Sequence, residues 1–457
     1  MSTVALSGLE PPFEVLGCSW PLPVQHADWR WCSAPEWDAP RLPTPPRLRL
    51  EVLEGHIGWT IDWRDLFRAD VKLNDPFYSG QMRGFHVVFR LGMRRTGRLV
   101  VWDDDGSIVR RNGTVVHEDR SAHARQRHEL DVCAGDVLEV AQWQVGWDWL
   151  WSAYLDDGDG AALTVDGLVA PIRDAVQHRL DAPTGPPLKM FTNAASPLRV
   201  LLAIYSMVLN GYAPSGVHLF GDHQWSARAQ HLLRWGLPFA EIHPTPAVLD
   251  RLRTLGGPGL ASLARQHWFV LKTCVGVLCE PREACMLDDD VVILDRVDDA
   301  LAAFERSDLV FAADQDHGPA YAATWRISHL GRPPWPLPTA RFNAGLYWVR
   351  PAHDPAHLAQ QMLMARPNPA APFYWEQGFI AVAYASLRTC ELPSQRYFFP
   401  LFDGLPGGVL DYDYATNPCR FASIHYGGLR NKPSDDGALE LLLPVVQHAC
   451  ATAGAAC

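Results

Sequence analysis

Three carboxylates stand together at Asp288-Asp289-Asp290, between the apolar runs Met286-Leu287 and Val291-Val292-Ile293. Carboxylates beside a core are costly unless they are paired or bind something. Asp288 and Asp290, at i and i+2, fall on one side of an extended segment and suit a shared divalent cation, Mg2+ or Mn2+, that also accepts diphosphate oxygens. An acidic turn explains the same residues without a ligand. The chain holds a comparison at Asp103-Asp104-Asp105-Gly106, where the Asp-Gly pair marks a hairpin tip and needs no chemistry. A second cluster is Ile424-His425-Tyr426-Gly427-Gly428-Leu429-Arg430-Asn431-Lys432-Pro433. Its glycines allow close backbone approach to a diphosphate, and Arg430 and Lys432 would neutralise it. His425 offers an imidazole nitrogen as a third metal ligand. The bland alternatives are a loop histidine with a structural hydrogen bond and a solvated basic face. In Tyr374-Trp375-Glu376-Gln377-Gly378 the carboxylate suits a developing positive centre, or equally the first turn of a helix. Lys272 precedes the acidic triplet and reaches a nucleotide or simply lies on the surface.

The elements that must hold these residues change character along the chain. Residues 1–46 are rich in Pro and Trp with little periodicity, an irregular lead-in. From 47 to 160 the apolar residues alternate, as in Leu48-Arg49-Leu50-Glu51-Val52 and Phe85-His86-Val87-Val88-Phe89, with turn signals at Asp105-Gly106 and Asn112-Gly113. That pattern predicts an all-β, sandwich-like domain. Residues 161–187 read as a linker. Beyond 188, strand-like runs (188–192, 216–220, 284–287, 308–313) alternate with helical ones (196–210, 226–235, 267–278), which implies βαβ units and a mainly parallel sheet over 188–440. Ligands of such sheets sit at the carboxyl ends of strands, where the acidic triplet lies. Residues 441–457 are a tail.

The strand that ends in Leu287-Asp288-Asp289-Asp290 resembles the D-x-D metal site of nucleotide-sugar glycosyltransferases with the GT-A fold. Three further segments occur in the order found in the family 8 retaining enzymes, the glycogenin-like and bacterial galactosyltransferase-like group. Phe191-Thr192-Asn193 resembles their nucleotide-binding opening strand. Phe342-Asn343-Ala344-Gly345-Leu346 resembles their F-N-A/S-G segment, and Glu376-Gln377 stands where they have Asp-Gln. The 424–433 segment is similar to their H-x-x-G-x-x-K-P-W ending, with Lys432 one residue late and no Trp after Pro433. The resemblance spans about residues 188–435.

It implies an α/β chain: a GT-A (Rossmann-like mixed sheet) catalytic domain preceded by the all-β domain. It implies transfer of a sugar from a nucleoside diphosphate donor, UDP-linked, to an acceptor hydroxyl or amine, with retention. Mn2+ or Mg2+ would be held by Asp288, Asp290 and His425. Phe191, Thr192, Asn193, Lys272 and Asp289 would contact the nucleotide; Ala344 and Gly345, and Gly428, Arg430 and Lys432, would contact the rest of the donor. Asn343 would bind sugar hydroxyls, with Glu376 and Gln377 near the anomeric carbon. Two rivals stand beside this: an inverting enzyme with an acidic general base, and a non-catalytic carbohydrate-binding protein.

Composition narrows the field. Forty basic against 51 acidic residues, a net charge of −11, argue against a nucleic-acid groove. The ten cysteines have no framework spacing, which suits reduced thiols and a cytoplasmic setting. The first 23 residues lack the basic and apolar regions of a signal peptide, and the most apolar stretch, 197–212, carries Arg199 and is too short to span a bilayer. Of 18 tryptophans, eleven precede residue 152. Trp143, Trp147, Trp149 and Trp151 fill a β core or stack on sugars, which would make the first domain an accessory recognition module.

Overall fold

The computed structural model describes residues 10–19, 22–23, 37–38, 42, 45–46, 48–61, 84–103, 106–119, 126–145, 151–156, 164–313, 342–351, 353–365, 372–398 and 421–426, with the single positions 438, 442 and 445. The chain divides into two compact units, Met1–Val169 and Ala170–Cys457.

In the first unit the alternating segments form β1 (Phe13–Cys18), β2 (Leu22–Pro23), β3 (Leu48–Leu53), β4 (His56–Ile61), β5 (Gly84–Met93), β6 (Gly97–Asp103), β7 (Ser107–Arg111), β8 (Thr114–Asp119), β9 (Gln126–Val132), β10 (Val137–Val145) and β11 (Trp151–Asp156). They pair as two sheets, β1-β5-β10-β7-β8 with β2 also on β5, and β3-β4-β11-β6-β9. Every strand pair in both is antiparallel. One face of each feeds a shared core: Phe13, Phe89 and Val140 from the first, Trp59, Val101 and Trp151 from the second. The Trp151 ring meets Phe13 and Phe89 edge-on, with centroids 5.7 and 5.1 Å apart. Asn112 and Gly113 join β7 to β8 with φ of 50° and 83°, the two-residue turn that the Asn-Gly pair specifies. The expected hairpin at Asp105-Gly106 is not one. β6 and β7 belong to different sheets, so the chain changes sheet there, and Asp103 is buried, accepting a hydrogen bond from Ser107 Oγ.

The stretch expected to be a linker carries a helix, α1 (Val165–Leu180). The second unit continues with β12 (Leu188–Phe191), α2 (Pro197–Leu209), β13 (Val217–Phe220), α3 (Ala227–Gly236), β14 (Ala240–Ile242), α4 (Thr245–Gln266), α5 (Trp268–Val277), β15 (Ala284–Leu287), β16 (Val291–Ile293), α6 (Asp298–Phe304), β17 (Leu309–Ala313), β18 (Phe342–Val349), α7 (Pro355–Met364), α8 (Pro372–Ala383), β19 (Thr389–Leu392), β20 (Tyr397–Phe398) and β21 (Ser423–His425). Ser226 caps α3 through its hydroxyl, and Gly211, with φ 94°, follows α2. α4 is two helical segments that meet at a kink in Gly256-Gly257-Pro258-Gly259, where Gly257 leaves the helical region with φ 72° and ψ −176°.

The strands form a seven-stranded sheet in the order β14-β13-β12-β15-β18-β17-β19. β18 is antiparallel to both neighbours; the other pairs are parallel. The chain steps outward from β12 to β14 and then returns to the other side of β12 as β15, so the order reverses between β12 and β15. That reversal opens a crevice at the carboxyl ends of the two strands. A small sheet, β16-β21-β20, sits beyond it. α2 is buried along its whole length and pins this sheet: Ser206 Oγ accepts from Ile293 N at 3.0 Å, and Asn210 Nδ2 donates to Ile293 O at 2.9 Å. Among the described residues no helix is long and apolar enough to cross a membrane.

Candidate metal centre

β15 ends at Leu287, and its pairing with β18 sets the backbone of the acidic triplet, since Asp288 N donates to Gly345 O at 2.8 Å. The chain then turns into β16. Because β16 and β21 are antiparallel, with Val291 opposite His425, the histidine arrives beside Asp290 although 135 residues separate them in sequence. Tyr426 N donates to Asp290 O at 2.8 Å and closes the pairing. Ligand atoms of Asp288, Asp290 and His425 all lie within 4.8 Å of one another.

The imidazole is oriented from behind. Its Nδ1 is 2.9 Å from Asn343 Oδ1, an oxygen that also accepts from Gly345 N at 2.8 Å. An oxygen cannot donate, so Nδ1 carries the hydrogen and Nε2 is the nitrogen that faces Asp290 Oδ1, at 3.2 Å. The ring lies so close to β18 that a Cβ at Gly345 would come within 2.3–2.7 Å of three of its atoms. Glycine is required there by the approach of His425.

The three aspartates have different surroundings. Asp289 is buried and accepts from Thr192 Oγ1 at 2.6 Å and from Arg199 at 3.2 Å. It ties the end of β12 and the start of α2 to the triplet. Asp288 is paired with Lys272 of α5, whose Nζ is 2.8 Å away, and the same ammonium lies 3.3 Å from Glu376 Oε2 on α8. Burial pushes the Asp288 carboxyl above its ordinary range while Lys272 opposes the shift. Burial works against the charge of Lys272, but Asp288 and Glu376 outweigh it and hold its pKa above the usual value. Glu376 is pushed up to about 7, chiefly by burial, with Lys272 opposing and Asp288 adding. Three carboxylates (Asp288, Asp290, Glu376) against one ammonium leave two negative charges when Glu376 is ionised and one when it is protonated. The buried polar atoms with no hydrogen-bond partner among the described residues include Asn343 Nδ2, Glu376 Oε1 and the Tyr347 hydroxyl. Such groups are costly unless a ligand or water meets them.

The remaining candidates fall as follows. Phe191 and Thr192 are buried at the end of β12, and Thr192 N donates to Phe220 O. Asn193 is exposed and its side chain accepts from Ala195 N. Ala344 is buried, and Gln377 is half-buried on α8 beside Glu376. Lys272 is a core residue of the site and not a surface lysine. Trp375 belongs to the hydrophobic core, where it stacks on Phe379 and donates to Ala365 O. Gly428, Arg430 and Lys432 lie outside the described residues, as do Trp147 and Trp149. In the first unit Trp143 and Trp151 are buried.

Sequence reading did not single out Arg199, Tyr347 or Lys189. Lys189 is buried in β12 and donates to Val275 O and Cys279 O at 2.7 Å each, at the end of α5. It fixes the helix that carries Lys272. A charge inside an apolar strand was the one available signal.

No protein-family model matches the sequence, and no curated protein does. Among solved structures, the chain is similar to mouse xyloside xylosyltransferase 1 (13% identity, 55% of this chain and 99% of that one, TM-score 0.34). It is similar to the bifunctional glycosyltransferase WbbM (12% identity, 58% and 51%, TM-score 0.36). A third likeness is to the Streptococcus pneumoniae glycosyltransferase GlyE (12% identity, 59% and 64%, TM-score 0.31). The overlap spans about half of WbbM and under two thirds of GlyE. At these scores the likenesses decide neither fold nor activity.

Proposed function

We propose that the second unit is a metal-dependent glycosyltransferase of the GT-A type, moving a sugar from a UDP-sugar to an acceptor hydroxyl or amine with retention. One observation carries this reading. Two carboxylates and an oriented imidazole converge at the carboxyl end of β15, where the strand order reverses.

The residues suit Mn2+ or Mg2+. Asp290 Oδ1 and His425 Nε2 face each other, His425 is fixed by Asn343, and Gly345 leaves the ring its place. Excess negative charge around them matches a dication, and Lys272 shares Asp288 with whatever binds. Bound there, the cation would neutralise the donor's diphosphate as it departs. The chain's own groups do the positioning. Asp289, Thr192 and Arg199 hold the crevice wall rigid. Asn343 Nδ2, Glu376 Oε1 and the Tyr347 hydroxyl offer buried hydrogen-bonding capacity for sugar hydroxyls. In transfer the bond from the anomeric carbon to the phosphate oxygen breaks, the bond to the acceptor oxygen or nitrogen forms, and the acceptor proton passes to the departing diphosphate. Gln377 would lie near the anomeric carbon, and Gly428, Arg430 and Lys432 would close over the diphosphate. The first unit would serve acceptor or carbohydrate recognition, with Trp147 and Trp149 as its candidate rings.

The test is Asp290→Asn. Mn2+-dependent release of UDP from a panel of UDP-hexoses should be lost while the circular dichroism spectrum is unchanged. Full retained turnover sinks the reading, and absence of turnover in the parent with sugar binding intact favours a non-catalytic protein. One observation favours an inverting enzyme: Glu376, at about 7, is poised for general-base work at neutral pH. NMR of the product's anomeric linkage separates the two.

A further inference from the structure

A second group of ligating side chains lies away from the acidic triplet, on the outer strands of the seven-stranded sheet. β13 and β14 are parallel, with His218 directly beside Glu241 in register, and β14 is the last strand of the sheet. Glu241 and His243, two residues apart, fall on the same side of the extended chain. His218 Nδ1 is 2.9 Å from His243 Nε2. The carboxylate reaches both rings, with Oε2 3.4 Å from His218 Nδ1 and Oε1 3.7 Å from His243 Nε2.

We infer that His218, Glu241 and His243 form a second metal site, of the Zn2+ class, that staples edge strand β14 to β13. Ligands about 2.0–2.1 Å from a tetrahedral ion stand about 3.3–3.4 Å apart, and the three separations bracket that value. Two imidazoles and one carboxylate suit Zn2+ and its late-transition neighbours better than the oxygen-preferring ions expected at Asp288 and Asp290. A hydrogen bond between the rings accounts for their 2.9 Å separation but not for Glu241. That side chain is 65% exposed, so packing does not force its two oxygens over both nitrogens. When the ion enters, the hydrogen shared between Nδ1 and Nε2 leaves to solvent or moves to the far nitrogen of its own ring. Room for His218 is provided by Gly216, where a Cβ would come within 3.1 Å of Nε2. Lys189, one strand further in, directs its ammonium to the carbonyls at the end of α5. Three protein ligands leave a fourth tetrahedral position to water, and it is the placement of the ligands across β13 and β14 that gives the ion a stapling role. An edge strand of three residues has little pairing of its own to hold it, and a cross-strand ion would supply what is missing.

The experiment uses the full chain stripped with a chelator, in an Asp290→Asn background that removes a ligand of the first site. Zn2+ is titrated by calorimetry, and Co2+ by the visible absorption of a tetrahedral site. The background protein should bind Zn2+. Glu241→Gln, a change at an exposed residue that leaves folding intact, should weaken binding about 10-fold or more. His218→Gln with His243→Gln should abolish it together with the Co2+ bands. Failure of the background protein to bind Zn2+, or equal affinity in Glu241→Gln, overturns the inference. So does unchanged stoichiometry in a folded double variant. The outcome is independent of sugar transfer.

Discussion

His425 meets two demands at once: Nδ1 must donate to Asn343 and Nε2 must face Asp290. Both depend on the ring lying against the backbone of Gly345. Gly345→Ala should therefore displace the imidazole, because the new Cβ would overlap atoms of a ring whose strand, β21, is held in place by its pairing with β16. Mn2+ affinity, read by calorimetry, is expected to fall about 10–100-fold, as when an oriented ligand loses its support. An unchanged affinity would show that His425 has another place to sit. At this scale much of the site is legible in the sequence. Metal ligation admits few residue types, so Asp288, Asp290 and His425 stand out on chemistry alone. Asp289 and Lys272 differ, because their identity as charges says nothing about their partners. Only the fold brings Arg199 and Thr192 to Asp289, and Glu376 to Lys272. Such pairs leave no local spacing to read.

Elements position these side chains through a few buried polar ties. Lys189 is the clearest. It sits in the middle of β12 and satisfies carbonyls at the carboxyl end of α5, so strand and helix are locked in relation to each other. Burial brings its pKa down to about 8, yet three carbonyl contacts repay its removal from water. Replacing it with Met keeps the stem and leaves those carbonyls unmet. Lys189→Met should lower stability by about 1–3 kcal/mol in urea unfolding. Midpoints matching the parent's would show that water takes over the role. The alternating strands and the capped helices are legible because propensity and period agree there, as at Ser226 or Asn112-Gly113. Within α4 the segment Gly256-Gly257-Pro258-Gly259 interrupts the helical backbone at Gly257, and Leu252 and Leu260 on either side of the break pack into one core. The passage from β6 to β7 misleads. Its Asp-Gly pair signals a hairpin, but strand partners are chosen by sheet packing at long range, and the two strands join different sheets.

Across the whole molecule, burial sets how stability responds to acid. Three histidines are held neutral well below their ordinary range: His86 at about 4 and His128 at about 3, both chiefly through burial, and His218 at about 4 through burial and the neighbouring His243. His86 is packed against Trp143 with its Nε2 shielded, and His128 is stacked on His117 at 3.7 Å. In the unfolded chain these rings take up protons near pH 6.5, whereas in the fold they do not until pH 3–4. The unfolded state thus binds more protons throughout that window, and stability falls as the pH drops through it. For His86 alone the full effect is on the order of 3 kcal/mol, about 2 of which are lost by pH 5. Glu376 runs the other way. Its folded pKa of about 7 exceeds the unfolded carboxylate value, so it favours the fold as pH falls from 7 towards 4.5. Asp288, also raised by burial, acts in the same direction as Glu376. The lowering of His117 and His243 adds to that of the three histidines and outweighs the two acids. Melting followed by calorimetry in the presence of a chelator should show a lower Tm at pH 5 than at pH 7.5, by about 2–4 °C per kcal/mol lost. A Tm that holds steady or rises over that interval would mean that these rings are reached by water or by carboxylates that accept their charge.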